Sequence, residues 1–144
     1  MRSWVLLLYK IPPEPTAKRV QVWRKLKRLG ALLLHDAVWV LPATPYTVEQ
    51  FQWLAAEIRE MEGTATAWEA RLYLADEDDR LAAQFLAQTD AIYREILAAV
   101  AEPNADLRAL SRRYQQAYAQ DYFHSSLGDQ VRSVLVEAKG GLDS

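Results

Sequence analysis

A chain of 144 residues, 51% apolar and 25% charged, is long enough for one domain, or for a small domain with a helical appendage, and too apolar for disorder. It contains no cysteine, which excludes a disulfide framework, a thiolate metal site and a cysteine nucleophile. The net charge of −2 hides an asymmetry: residues 1–75 carry 10 cations against 7 anions and residues 76–144 carry 7 against 12, so any nucleic-acid surface belongs to the first half.

Residues 4–11 form an apolar, β-compatible run stopped by Pro12, Pro13 and Pro15, which predicts a strand followed by a rigid loop. The run is far too short to span a membrane and has no signal-peptide cleavage pattern, so a cytoplasmic protein with no membrane partner is expected. Thr16 is the expected N-cap of a basic helix that Gly30 ends. At 100° per residue, Val22, Trp23, Leu26 and Leu29 fall on its packing side, while Lys18, Arg24, Lys25 and Arg28 gather opposite, with Lys27 at the edge of that arc. Residues 31–34 and 37–41 predict a hairpin turning at His35 and Asp36 and closed by Pro42. Thr47 is the expected cap of a second amphipathic helix, with Phe51, Leu54, Ala55 and Ile58 on one face and Gly63 as its stop. A fourth strand is expected over residues 64–74, with Thr64, Thr66, Glu69 and Arg71 as its polar positions.

That order, βαββαβ, predicts an α+β fold of ferredoxin-like type: two helices on one face of a four-stranded antiparallel sheet. Strands one and three are apolar on both faces, so the second face must be buried as well, by the C-terminal helices or by another subunit.

Residues 76–79 read as an acidic linker that caps a long helix over residues 80–101, with a packing stripe of Leu81, Phe85, Ile92, Ile96 and Val100. Pro103 breaks it, and a helix over residues 105–122 follows, with Leu107, Leu110, Tyr114 and Tyr118 on one side. Ser125 or Ser126 caps a last short helix carrying Val131, Val134 and Leu135, with Gly140 and Gly141 as its stops. The expected division is a ferredoxin-like domain over residues 1–75 and a helical extension over residues 76–144 that packs on it.

A catalytic site is hard to assemble from these residues. His35 and His124 lie in different parts of the chain and read as turn or surface histidines. The acidic run 76–79 reads as a solvated cap rather than a cation site, and Ser125 and Ser126 beside His124 lack an orienting acid. No glycine loop suited to phosphate is present. The reading is therefore a non-enzyme with no cofactor and no metal. The basic helix remains, balanced between a solvated face and an anion-binding one. No acid lies three or four positions from Arg24, Lys25 or Arg28 to neutralise them. Arg19 projects near the apolar arc and needs to snorkel or to find a partner such as Asp36. Four to six phosphate contacts would give a salt slope of about −4 to −5 on duplex DNA. Arg108, Arg112 and Arg113 form a smaller cationic cluster, and with Arg19 they are candidates for binding an anion.

Three stretches together suggest a family: WVLLLYKIPPEP from Trp4 to Pro15, VWRKLKRLGA from Val22 to Ala31, and VWVLP from Val38 to Pro42. They resemble the N-terminal domain of the chromate-resistance regulator ChrB, and the stretch from Arg113 through Asp121, Tyr122 and Phe123 to Gly140 and Gly141 is similar too. The resemblance implies a regulator that controls a chromate efflux operon by binding promoter DNA, responds to chromate and forms a homodimer. Under it, Lys18, Arg24, Lys25, Lys27 and Arg28 are the expected DNA contacts. The alternative is a non-enzymatic dimerisation or oxyanion-sensing module. More distantly, the βαββαβ part resembles the ferredoxin-like domains of the repressor PaaX and of small CRISPR-associated nucleases. Those nucleases carry a catalytic aspartate at the end of the first strand, where this chain reads Leu8, Tyr9 and Lys10, so a metal-dependent nuclease is the least favoured reading.

Overall fold

The computed structural model describes residues 1–143 and divides into two compact units, Met1–Asp79 and Arg80–Ser144. In the first, strands β1 (Trp4–Lys10), β2 (Leu32–His35), β3 (Val38–Pro42) and β4 (Thr64–Ala70) alternate with helices α1 (Thr16–Leu29) and α2 (Pro45–Glu60) in the expected order. The sheet order is β2-β3-β1-β4 and every pairing is antiparallel. This is the α+β, ferredoxin-like arrangement. Each helix links two parallel strands across an intervening one, and the right-handed sense of such crossovers places both on the same face of the sheet.

Register assigns the faces. Val5 pairs with Leu41 and Leu7 with Trp39, so these four share one side, and all are buried. Tyr9, on the same side, lines a hollow together with Thr16, Arg19 and Trp23 of α1, which identifies this as the helix face. Trp4, Leu6, Leu8, Val38 and Val40 form the other side; Trp4 and Val40 are buried, while Leu6, Leu8 and Val38 are half-buried. Trp68, opposite Leu6 on β4, is exposed, so burial of the second face is partial.

Several helix ends differ from the sequence reading. Thr16 is the first residue of α1, not its cap; the N-cap is Pro15, with no side-chain hydrogen bond. Gly30 does end α1 in the left-handed region at φ 78°, donating to Lys27 O while Ala31 N–H reaches Leu26 O, the two bonds of a Schellman closure. For α2 the cap is Thr44 rather than Thr47. Thr44 Oγ1 accepts from Thr47 N at 3.0 Å and Thr47 Oγ1 accepts from Thr44 N at 2.8 Å, a reciprocal capping box with Pro45 at the first helical position. Strand β4 ends at Ala70, four residues earlier than expected.

The acidic run 76–79 is not a linker, because α3 (Ala75–Val100) starts before it. Nor are its carboxylates all solvated. Asp78 is 2% exposed, with Oδ1 accepting from the Trp4 indole at 2.8 Å and Oδ2 from Arg2 Nη1 at 2.8 Å. The Trp4 hydrogen bond, and then Arg2, hold its carboxyl below the usual range against the opposing effect of burial.

In the second unit, α3 continues, followed by α4 (Leu107–Ala119), capped by Asp106, and α5 (Ser126–Asp143). Their shared core is Tyr93, Ile96, Leu110, Ala117, Val131 and Leu135. Tyr118, expected on the packing stripe, is exposed. Of the two serines, Ser125 caps α5, its Oγ accepting from Leu127 N at 3.1 Å, and α5 runs through Gly140 and Gly141 instead of stopping there. Buried Tyr93 donates to Asp121 Oδ2 at 3.0 Å, and Asp121 also accepts from Ser125 N–H.

Candidate functional site

Helix α1 carries six cations and no carboxylate, so the charge of its outward side must be met from elsewhere. It packs through Val22 and Leu26, both fully buried, with Leu29 half-buried beside them. Trp23, expected in the core, is 50% exposed, and Val20 is exposed as well. The packing arc is thus narrower than the sequence suggests and is rotated away from Trp23. A Trp23→Ala variant should consequently lose no more than about 1 kcal/mol in urea denaturation, against the 3–5 kcal/mol of a buried tryptophan.

The five expected DNA contacts do not share one open face. Lys25 forms an ion pair with Glu57 of α2, and Lys18 lies on the same flank, where a groove of about 510 Å³ runs between them, Gln21, Glu57 and Glu60. The partner missing from Lys25's own helix therefore comes from the neighbouring one. That pair is only half-buried and contributes little to stability, on the order of 0.2–1 kcal/mol. Arg24, Lys27 and Arg28 are exposed on the outward side. Arg24 and Arg28 line a second open groove of about 630 Å³ with Thr16, Ala17, Val20 and Gln21.

Arg19 is exposed, which fits the snorkelling alternative, and it makes no ion pair with Asp36 within 4 Å among the described residues. Both line a hollow of about 640 Å³ between the end of β1, the proline loop, the start of α1 and the β2–β3 turn. Tyr9, Ile11, Pro13 and Trp23 complete most of its wall. Burial pushes the Tyr9 phenol up in pKa, with the Trp39 indole and the Arg19 charge opposing.

The other anion candidates belong to the second unit. Arg113 makes an ion pair with Glu95 of α3, leaving Arg108 and Arg112 as exposed arginines one turn apart on α4. One of the three candidate arginines thus already has a carboxylate partner on the neighbouring helix. His35 and His124 are both exposed and lie in different units, and no group of three or more metal-ligating side chains occurs among the described residues. The end of β1 presents Tyr9 and Lys10.

A cation-bearing helix backed by a ferredoxin-like sheet occurs in many settings, and sequence comparison narrows them. The family model described as Protein ChrB, N-terminal, matches residues 19–130, which includes α1 from Arg19 onward and extends into α5. The chain belongs to the ChrB N-terminal family. Protein ChrB of Cupriavidus metallidurans is 31% identical over 75 residues, a stretch covering 52% of this chain and 22% of that protein. The chain thus corresponds to well under two thirds of its relative's length. No described helix is long and apolar enough to cross a membrane.

Two features of this candidate site in the ChrB-family chain escaped the sequence reading. The exposure of Trp23 was hidden because its neighbour Val22 and its i+3 partner Leu26 are genuine core, and an indole one position away fits the same arc at helical spacing. The hollow was hidden for another reason: eight of its lining residues fall between Tyr9 and Trp23, but it is closed by Asp36 and Ala37 of the β2–β3 turn, whose approach no local pattern signals.

Proposed function

We propose that the chain is the DNA-contacting part of a chromate-resistance regulator, with no enzymatic activity, in which α1 lies against the sugar-phosphate backbone of promoter DNA. Arg24, Lys27 and Arg28 contact phosphates, with Lys18 and Lys25 at the flank of the same helix. The observation that carries the reading is the absence of any carboxylate on α1, together with three exposed cations on its outward side. Family membership supports it by way of the likeness to chromate-resistance regulators described above. Such contacts supply affinity and leave sequence choice to other groups. A homodimer in the cytoplasm is part of the same proposal, because it would double the cationic helix on a two-fold operator.

The test is duplex binding across a range of salt. Replacing Arg24, Lys27 and Arg28 together by alanine should weaken binding and make the slope of log K against log salt shallower by about 2 to 3, at roughly 0.9 for each phosphate no longer neutralised. Lys25→Ala alone should change the slope by less, since Glu57 already holds that ammonium. A triple variant whose slope equals that of the wild type would sink the proposal.

A second reading, an oxyanion-sensing module, is favoured by one observation: the first turn of α1 has no side-chain cap and opens beside Arg19 and Lys10 at the hollow. Calorimetric titration with chromate and with sulfate decides it, saturable binding lost in Arg19→Ala being the supporting result.

A further inference from the structure

The outward side of α1 holds more than charge. Trp23 is half-exposed, with Arg19 one turn before it and Lys27 one turn after. Its ring lines the hollow of about 640 Å³, a size within the range of small-molecule sites, roughly 300–1,000 Å³. A helix that met only phosphates would have no use for an indole in water, where its apolar surface is unfavourable. Flat aromatic surface set among cations is instead the arrangement that holds an unpaired base and its backbone together, because every base has a face to stack and the charges follow the phosphates. Asp36 is the single carboxylate lining the hollow. It disfavours a phosphate on its own side and is a suitable acceptor for an exocyclic amino group such as that of cytosine. Ile11 and Pro13 supply apolar wall against which a base, but not a phosphate, is at home.

We propose that this hollow receives an unpaired nucleobase from a single-stranded segment, stacked on Trp23, with the adjoining phosphate on Arg19 and the amino edge of the base towards Asp36. The inference rests on the nucleic-acid reading of α1 and adds to it the class of strand that is held.

Fluorescence anisotropy with short labelled oligo(dC) and oligo(dT) strands and with a duplex tests it, with dCMP as a competitor. Trp23→Ala should lower affinity for the single strands by about 5- to 150-fold while leaving the salt slope unchanged, since stacking and phosphate contacts are separate contributions. Trp23→Phe should restore part of the loss, and duplex affinity should stay close to that of the wild type. Oligo(dC) should bind more tightly than oligo(dT), and Asp36→Asn should narrow that preference. Single-strand binding by Trp23→Ala equal to wild type overturns the inference, and if duplex binding is intact the phosphate reading of α1 stands without it. Tryptophan-dependent binding of single strands with no duplex binding has the opposite meaning: the hollow holds and the duplex reading falls. A wild-type protein that binds neither overturns both. Competition by dCMP at the concentration where the strand itself binds would make a free nucleotide, not a strand, the occupant, and would overturn the proposal in that respect.

Discussion

Gly63→Ala is expected to destabilise the first unit by about 1–3 kcal/mol, as measured by chemical denaturation, the usual range for forcing a carbon into a packed site. The added Cβ would lie 2.6 Å from Lys10 O and 2.8 Å from Ile58 Cγ2, and one of these is backbone that cannot step aside. The neighbouring residue should respond in the opposite direction. Glu62 occupies the left-handed position at the end of α2, with φ 66°, donating to Arg59 O at 3.1 Å while Gly63 N–H reaches Ile58 O at 2.9 Å. A side chain there costs about 1–2 kcal/mol relative to glycine's freedom, so Glu62→Gly should recover part of that amount. Adjacent substitutions with opposite signs separate the two roles of a helix stop, conformation and space. If Gly63→Ala were neutral, the close approach of β1 and α2 at this point would be wrong.

Tyr93→Phe is the second large effect, expected to cost about 1.5–3 kcal/mol near neutral pH, because it removes a donor from a buried carboxylate. Tyr93 is fully buried, donates to Asp121 at 3.0 Å, and packs so closely under Gly128 that a Cβ there would meet its ring at 3.0 Å. Burial first, and the Asp121 bond second, raise its pKa well above the ordinary tyrosine value. The sign of the pH dependence follows: a group whose folded pKa is raised contributes stability that is complete below its unfolded pKa of about 10 and is lost as pH rises beyond it. The wild-type protein should therefore lose stability above about pH 10, and the difference from Tyr93→Phe should narrow over the same interval. A constant difference from pH 7 to pH 11 would contradict this role for the phenol.

How much of this was legible in the sequence depends on whether the deciding contact was near or far along the chain. The order of strands and helices, the Gly30 closure and the buried Phe51, Leu54, Ala55 and Ile58 follow from periodicity and punctuation, which are local. The true cap of α2 was legible too: a threonine directly before a proline that can open the helix outranks a threonine three residues inside it. Asp78 was not, because nothing within the run of four acids distinguishes the one that meets Trp4 across 74 positions of sequence. Lys25 was not, because its partner belongs to another helix 32 residues on. For the candidate site, charge and spacing picked out the cationic helix but not which of its cations face outward. The rotation of α1 is fixed by what Val22 and Leu26 bury, and that turns Trp23 out beside Arg24 and Lys27.

The position of β1 has a bearing on how the chain is made. It is a central strand whose neighbours, β3 and β4, are both synthesised after it. When residues 4–10 leave the ribosome neither edge has a mate, and the second is satisfied only once residue 70 has followed, about 3–12 s later at ordinary rates of elongation. Throughout that interval an apolar segment reading WVLLLY is open on both sides. The three prolines and the cationic helix that emerge directly behind it are residues ill-suited to β-pairing between nascent chains, so they bound the length of chain over which such pairing can spread.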